Sequence, residues 1–508
     1  MDANTKKRVF FCALKSPEGE GVVDYFSLAD TLAYHYLAAY ALKDEKIIKN
    51  YEFHIRESFS EEQLIKTVAE EKPSLIGFTC YLRNIQRNLS AARRMKETLP
   101  DSVIILGGPE VVKSQRTLEK NPFVDIVVRG EGEEIFRQIL TELESPSPAL
   151  QNINGISFRR NGQIITTPDA ALLRNLADIP PIYNQSLLPS LSNIVLYETS
   201  RGCYFRCKFC TWTSRKRRFY PLNRVEDDLK LLLSSPKIKR IYFIDSDFGE
   251  EKERAVAILN MIKKYNRYNT EFSSFLTLRN IDEEMLQLCA ELNFPAEVPY
   301  GLQSVNRKAL DAVGRRWFKL EALEEKLQLV LKYIPRSVFV IDVIYGLPND
   351  NHEGFKQTIR WCLDWGFSRL NFFRLGGYPG TEFATKPERY GLVFDPEPPY
   401  LVRHSNTYTE EDIARTETFL TNLQVMMSFL NPEDYQALKK CGVDMIELAE
   451  TAHRSTPNWN KYFTKINESN ISDIDRSVGE HIIRYLRTLN LQEGQIKEAE
   501  KIISAKIR

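Results

Sequence analysis

Three cysteines with unusually close spacing lie near the middle of this 508-residue chain. Cys203, Cys207 and Cys210 follow a C-x3-C-x2-C pattern. A disulfide framework uses cysteines in pairs, and a structural zinc site takes four ligands, usually in two separated pairs. Iron–sulfur clusters do use such runs, because a short loop can place several thiolates around one face of the cluster. Three ligands on a four-iron cluster would leave one iron open to a small molecule.

The stretch around these cysteines, residues 199–212, resembles the signature loop of the radical S-adenosylmethionine (SAM) enzymes. In that family the open iron chelates the amino and carboxylate groups of SAM. An aromatic residue just before the third cysteine, here Phe209, lies against the adenine. The resemblance therefore implies that the three cysteines hold a [4Fe-4S] cluster and that Phe209 contacts SAM. The alternative is a chance spacing in a chain with few cysteines.

The composition gives no sign of a membrane or a nucleic-acid partner. Lys and Arg number 69 against 68 Asp and Glu, so the net charge is +1, and the hydrophobic share of 43% is ordinary for a globular protein. No run of about 18 apolar residues occurs, and no signal peptide is expected. Five single cysteines are predicted to pack in the core: Cys12, Cys80, Cys289, Cys362 and Cys441. We expect a cytoplasmic protein of several domains without nucleic acid.

Residues 1–145 alternate short apolar runs with amphipathic stretches. Strands are predicted near 9–14, 51–55, 75–79, 103–106 and 124–128, with helices between them and Ser60 as an N-cap. This alternation predicts an α/β domain with a doubly wound parallel sheet, which is flavodoxin-like or Rossmann-type. Ligands of such sheets bind beyond the carboxyl ends of the strands.

The residues after three of these strands form a candidate binding site. Thr79 and Tyr81 follow the third strand, Gly107 and Gly108 follow the fourth, and Glu131 follows the fifth. Paired glycines let a bulky ligand approach the backbone closely, although a tight turn alone is the alternative for Gly107-Gly108. Together the pattern resembles the cobalamin-binding domain of one large subclass of radical SAM enzymes. The resemblance implies that these five residues contact cobalamin.

One motif of the broader cobalamin-binding family is absent. The sequence has no Asp-x-His-x-x-Gly, and neither His35 nor His54 lies in that context. No histidine is therefore expected as the lower axial ligand of the cobalt, which is common in the radical SAM subclass.

Three further regions follow. Residues 146–192 are predicted as a packed connector with a β-hairpin, in which Asn161-Gly162 forms a type I′ turn. Residues 193–390 repeat the β/α alternation, with strands near 194–199, 240–245, 271–277, 297–302, 338–344 and 369–374. Six units predict a partial (β/α)6 barrel with its chemistry at the carboxyl ends of the strands. A helical C-terminal domain, residues 391–508, is expected to shape the substrate cavity, and a stiff Pro-rich connector at 395–400 lies near its start.

Polar residues at the ends of the barrel strands resemble SAM-contacting positions of the family. They are Asp245, Arg279, Gln303 and Ser304. Each has a structural alternative. Asp245 and Asp247 could cap the helix that starts near Glu250. Gln303 and Ser304 could cap the helix after them, and Arg279 could form a surface ion pair.

The resemblance implies a cobalamin-dependent radical SAM enzyme. The reduced cluster would cleave SAM to a 5′-deoxyadenosyl radical that abstracts hydrogen from an unactivated carbon, and methylcobalamin would then methylate that carbon. The expected substrate is a natural product, a peptide or a lipid-type molecule, and the electron donor an external flavodoxin or ferredoxin. No side chain is predicted to be catalytic. Cyclisation or ring contraction without methyl transfer is the alternative reaction.

Two remoter functions are disfavoured by the sequence. A methylthiotransferase would need three further N-terminal cysteines and a C-terminal RNA-binding barrel, whereas only Cys12 and Cys80 precede the hairpin and the C-terminus is predicted to be helical. A sensor without enzyme activity is disfavoured by the intact cysteine run with Phe209. Neither the charge balance nor a motif identifies the substrate.

Overall fold

The computed structural model describes residues 6–14, 27–184, 191–212, 216–292, 294–455, 471–489 and 491–507. The chain divides into two compact units. The first comprises Met1–Ala296 with Tyr378–Thr385 and Glu397–Pro399, and the second Glu297–Gly377, Lys386–Pro396 and Tyr400–Arg508. No helix among the described residues is long and apolar enough to cross a membrane. The domain limits expected from the sequence stay predictions.

A seven-stranded sheet forms the N-terminal part of the first unit. Its strands are β1 (Lys7–Leu14), β2 (Tyr51–Ser58), β3 (Leu75–Thr79), β4 (Val103–Gly107), β5 (Ile126–Val128), β6 (Ile156–Arg160) and β7 (Gln163–Thr166). They lie in the order β2-β1-β3-β4-β5-β6-β7. The first five are parallel, as predicted from their apolar runs. The last two run antiparallel.

Helices cover both faces of this sheet, which is why its strands are apolar on both sides. They are α1 (Ser27–Ala41), α2 (Glu45–Asn50), α3 (Glu61–Glu71), α4 (Ile85–Thr98), α5 (Ser114–Lys120) and α6 (Gly132–Glu142). Alternate residues of β1 enter two separate cores: Phe11 joins one and Phe10 the other. The predicted N-cap is confirmed, because the Ser60 side chain accepts a hydrogen bond from the Gln63 amide at 3.3 Å.

The predicted hairpin is present and extends the sheet. Asn161 and Gly162 have φ of 51° and 78°, as a type I′ turn requires. Strand β6 pairs with β5, and Ile156 and Phe158 are buried in the core of the sheet. The segment expected to be a connector thus supplies two strands of the sheet. Strand β6 pairs the backbone groups of β5, which would otherwise be left at an open edge.

The first unit also contains a three-stranded parallel sheet. Its strands are β8 (Ile194–Tyr197), β11 (Arg240–Phe243) and β12 (Glu271–Ser274), in the order β12-β11-β8. Two short strands, β9 (Ser200–Arg201) and β10 (Arg218–Phe219), pair antiparallel between β8 and β11 in the chain. The helices of this part are α7 (Leu222–Leu232), α8 (Lys252–Tyr265) and α9 (Glu283–Glu291).

The other three predicted β/α strands lie in the second unit. They are β13 (Val298–Gln303), β14 (Phe339–Tyr345) and β15 (Leu370–Arg374), all parallel, with α10 (Arg307–Ala312), α11 (Leu320–Val330) and α12 (His352–Asp364) between them. A short α13 (Glu382–Thr385) follows in the first unit. The Pro-rich segment connects β16 (Val393–Phe394) to its antiparallel partner β17 (Val402–His404). Its prolines lie outside both strands, so their missing amide protons remove no hydrogen bond of the pair.

The C-terminal region is helical, as predicted. It contains α14 (Glu410–Phe429), α15 (Pro432–Lys440), α16 (Met445–Ser455), α17 (Ile471–Leu486) and α18 (Glu493–Ser504). A capping box of Thr409 and Asp412 starts α14. Buried His352 of α12 bonds Thr416 of α14 at 2.9 Å and Glu450 of α16 at 3.0 Å, so these helices pack together. The predicted α/β class with a helical C-terminus is confirmed.

Candidate functional site

A cavity of about 280 Å³ opens in the first unit, at the carboxyl ends of β3, β4 and β5. We call it the glycine-lined cavity, because Gly107 and Gly108 are part of its wall. All five residues predicted to contact cobalamin line it: Thr79, Tyr81, Gly107, Gly108 and Glu131. The edge of a parallel sheet where strands end is the usual ligand site of such folds. The contact of these residues with cobalamin stays a prediction.

Two glycines of the cavity wall, Gly107 and Gly108, differ in why the position holds glycine. Gly108 has a φ of 101°, and a Cβ there would lie 2.6 Å from the carbonyl oxygen of Cys80. The position therefore requires glycine for backbone shape, as the turn alternative proposes. A Cβ on Gly107, in contrast, would meet no atom within 4 Å. Gly107 has no steric need for glycine within the chain, and its Cβ position is open space in the cavity wall.

Aromatic residues of α1 complete the cavity and were not predicted. Tyr34 and Tyr36 both line it. The Tyr34 hydroxyl donates to the Cys12 carbonyl at 2.7 Å and accepts from the Thr79 amide at 3.0 Å, and this ties α1 to the ends of β1 and β3. The helical pattern of α1 was evident in the sequence, but no spacing marks which of its aromatic residues face a ligand site.

One side of the cavity carries a cluster of buried ion pairs. Arg201 bonds Glu133 at 2.7 Å and Glu198 at 2.9 Å. Arg218 holds both oxygens of Glu131, at 2.5 and 2.8 Å. Sequence analysis missed all of these except Glu131. Arg218 and Glu131 are 87 residues apart, so no local pattern links them, whereas Glu198 lies only three residues before Arg201 and carries no motif of its own.

The pKa values of Glu131 and Glu198 in this cluster shift in opposite directions. Burial would raise the pKa of Glu131, but the hydrogen bonds from Arg218 and the charge of Arg201 outweigh it and lower that pKa. Burial raises the pKa of Glu198, and Arg201 opposes this only in part.

The three predicted cluster ligands lie on one loop between β9 and β10. Cys203 and Cys207 are half-buried and Cys210 is exposed, with the Cys210 amide donating to the Cys207 carbonyl at 3.2 Å. Phe209 is half-buried on the same loop. In the described part of the chain no three Cys, His, Asp or Glu side chains converge on one point. The donor set fits an iron–sulfur cluster, because thiolates on a short loop are its usual ligands.

The end of β11 supports the start of this loop. The Ser246 hydroxyl donates to the Gly202 carbonyl at 2.8 Å. Burial raises the pKa of the Cys203 thiol, while hydrogen bonds from the Phe205 amide and the Ser246 hydroxyl act to lower it. Of these two donors the Phe205 amide would stabilise a Cys203 thiolate bound to iron, whereas Ser246 would first have to turn its one hydroxyl proton away from Gly202.

Asp245 and Asp247 connect strand ends rather than cap a helix. The carboxylate of Asp245 is 1% exposed and accepts hydrogen bonds from the Thr199 amide and the Ser200 hydroxyl. Asp247 accepts from the Thr277 amide at 3.0 Å. Glu251 is the N-cap of α8, so the capping alternative is wrong. The predicted contact of Asp245 with SAM stays a prediction, and its carboxylate already has partners in the chain.

The other predicted SAM contacts have different surroundings. Arg279 is exposed, and no ion pair to it is found among the described residues. In the second unit Gln303 is buried with a φ of 71°. The Ser304 hydroxyl donates to Asp350 at 3.0 Å, and Asn306 rather than Ser304 caps α10. Their role toward SAM also stays a prediction.

Comparison with known proteins identifies two domains. The family model of the Radical SAM superfamily matches residues 197–362, and that of the B12 binding domain matches residues 26–140. The chain is 27% identical over 405 residues to the cobalamin-dependent radical SAM methyltransferase TokK of Streptomyces tokunonensis, covering 75% of this chain and 58% of TokK. It is 23% identical over 355 residues to the anaerobic magnesium-protoporphyrin IX monomethyl ester cyclase of Rubrivivax gelatinosus, covering 66% of this chain and 62% of the cyclase.

The fold is shared with a solved structure. The cobalamin-dependent SAM radical enzyme OxsB, with aqua-cobalamin and SAM bound, matches with a TM-score of 0.66 and 15% identity, covering 98% of this chain and 78% of OxsB. The chain spans less than two thirds of the length of TokK and of the cyclase. The two family models match the two regions in which the motifs lie. The chain therefore contains a radical SAM domain in residues 197–362 and, before it, a B12 binding domain in residues 26–140, the combination that its sequence motifs predict.

Proposed function

We propose that this chain is a cobalamin-dependent radical SAM enzyme that methylates a carbon atom of a small molecule. One observation carries the proposal: a single compact unit contains both the glycine-lined cavity and the loop with three cysteines. Similarity to a methyltransferase that uses both cofactors supports the reaction type. The cysteine thiols also favour a reducing compartment such as the cytoplasm.

The residues have separate tasks in this proposal. Cys203, Cys207 and Cys210 would hold a [4Fe-4S] cluster, and Phe209 would lie against the adenine of SAM. Thr79, Tyr81, Gly107 and Gly108 would form the wall against which cobalamin binds. When bound, these cofactors supply one-electron cleavage of SAM and transfer of a methyl group to carbon. The chain itself supplies binding, orientation and exclusion of water, and an external flavodoxin or ferredoxin would supply the electron.

The first experiment tests both cofactor sites. The protein is reconstituted anaerobically with iron and sulfide, incubated with hydroxocobalamin and desalted, and its iron and cobalt are measured. We expect about four irons and about one cobalt per chain. Cys207→Ala should lose the iron, whereas Cys441→Ala, which removes a buried thiol of the second unit, should retain it. Iron without cobalt in the wild type would exclude the cobalamin part of the proposal.

The second experiment separates methylation from its alternative. Similarity to a cyclase favours a radical rearrangement without methyl transfer as the second candidate. The reduced, fully loaded protein is incubated with SAM, and the nucleoside products are separated by chromatography. A methyltransferase should form S-adenosylhomocysteine in addition to 5′-deoxyadenosine. An enzyme that does not transfer the methyl group should form only 5′-deoxyadenosine.

A further inference from the structure

We propose that Arg201 is a positioning residue that couples occupancy of the glycine-lined cavity to the cysteine loop. The inference rests on the proposed function, since it assumes that a corrinoid binds in the cavity and a cluster on the loop. Arg201 is well placed for this task. It lines the cavity, and only one residue separates it from Cys203.

On the cavity side, Arg201 is held by carboxylates. Its guanidinium bonds Glu133, the second residue of α6, and Glu198, which follows β8. Both carboxylates line the cavity as well. The guanidinium also lies 5.2 Å from the ring of Tyr36, another residue of the cavity wall. A ligand in the cavity would therefore touch the groups that fix the position of Arg201.

On the loop side, Arg201 belongs to the base of the cysteine loop. It pairs with Arg218 across the two-stranded ribbon of β9 and β10, and the three cysteines lie between these strands. Arg218 in turn donates two hydrogen bonds to Glu131, which directly precedes α6 and lines the cavity. Both strands at the base of the loop are thus bonded to the same short segment of the B12-binding domain.

This network can couple the cavity to the loop because its side chains are buried and its hydrogen bonds have a fixed geometry. The side chains of Arg201 and Glu133 are only 12% and 6% exposed. A guanidinium presents its donors in a fixed planar fork, so its partners cannot shift independently of it. Cluster assembly would fix the loop, and through Arg201 it would fix Glu133 and Glu198 in the cavity wall. A wall ordered in advance binds its ligand more tightly, because less order is lost on binding.

Coupling between two sites is reciprocal and can be measured as a ratio of affinities. The dissociation constant of hydroxocobalamin is measured by equilibrium dialysis with iron-free and with cluster-loaded full-length protein. For the wild type we expect the loaded form to bind at least about fivefold more tightly. In Arg201→Gln the ratio should fall to one, and in Arg201→Lys, which keeps the charge but not the fork, it should be intermediate.

Glu134→Gln is the matched control. Glu134 neighbours Glu133 on α6 but bonds Arg137 and lies outside the cavity wall, so the wild-type ratio should persist. Should Arg201→Gln fail to fold, as judged by circular dichroism, Glu133→Gln removes the same link from the cavity side. A ratio of one in the wild type, or a wild-type ratio in the folded Arg201 or Glu133 variant, would overturn the coupling. Absence of any cobalamin binding would instead refute the proposed function.

Discussion

At the scale of single residues, the pair of Arg218 and Glu131 is a test of the buried ion cluster. The Arg218 side chain is 4% exposed and bonds both oxygens of Glu131. Arg218→Met removes both hydrogen bonds from a guanidinium to Glu131 and leaves only Arg201, 4.0 Å away, so we expect a loss of up to about 3–5 kcal/mol in the free energy of unfolding. Urea denaturation of the cofactor-free protein measures this loss. Replacing Glu131 by Leu in the same variant should restore much of it, because no buried charge is then left alone.

The control is a pair of the same type nearer the surface. Arg137 and Glu134 of α6 are 28% and 34% exposed, and Arg137→Met should cost no more than about 1 kcal/mol. Equal losses in the Arg218 and Arg137 variants would contradict the importance assigned to burial.

The carboxyl of Asp342 on β14 should make the stability of the fold depend on pH. Burial raises its pKa to about 6, against a hydrogen bond from Asn371 at 3.0 Å and the charge of Arg315. A carboxyl of the unfolded chain has a pKa near about 4, so between these values the folded protein keeps a proton that the unfolded chain releases. Stability therefore falls as the pH rises from about 4 to 6 and stays lower above 6.

Asp342→Asn cannot ionise, and it retains an oxygen that accepts from Asn371. We expect the thermal midpoint of the wild type, relative to this variant, to drop between pH 4 and pH 7, by an amount that corresponds to at most about 3 kcal/mol. Differential scanning fluorimetry at both pH values measures the drop. Parallel pH curves for the two proteins would show that the carboxyl does not titrate in this window.

At the scale of elements, the turn after β4 separates a structural glycine from one that faces the cavity. Gly108→Ala places a Cβ against the backbone of Cys80 at a positive φ, so the thermal midpoint should fall. Gly107→Ala meets no atom within 4 Å, so the midpoint should stay within about 1 °C of the wild type. Its methyl group would occupy the cavity wall, so we expect weaker retention of hydroxocobalamin. If the Gly107 variant retains cobalamin as strongly as the wild type does, the ligand does not contact this strand end.

The same elements show what the sequence can predict. Strand β3 begins and ends where its apolar run predicted, because the pattern extends over its whole length. The strands β9 and β10 were missed, since two residues each carry no periodicity. The ion cluster was missed for another reason: Glu131 and Arg218 are 87 residues apart, and local patterns carry no information about such pairs. Asp245 was assigned by motif, but its bonds to Thr199 and Ser200 depend on how strand ends meet.

At the scale of the whole molecule, the hairpin decides where the first folding region ends. Strand β6 pairs with β5, and Ile153, Ile156 and Phe158 belong to the same core as β1. A fragment that ends at residue 145, the predicted domain limit, loses these side chains and exposes the edge of β5. Loss of one large core side chain already costs about 2–5 kcal/mol, so this fragment should not fold.

A fragment that ends at residue 184 keeps both strands of the hairpin and every strand of the seven-stranded sheet. We expect it to be monomeric, to unfold cooperatively in circular dichroism and to resist trypsin, whereas the shorter fragment should aggregate through its open strand edge. Size-exclusion chromatography compares the two directly. A shorter fragment that folds as well as the longer one would show that β6 and β7 decorate a sheet already stable without them, and would place the limit of the B12-binding domain before the hairpin.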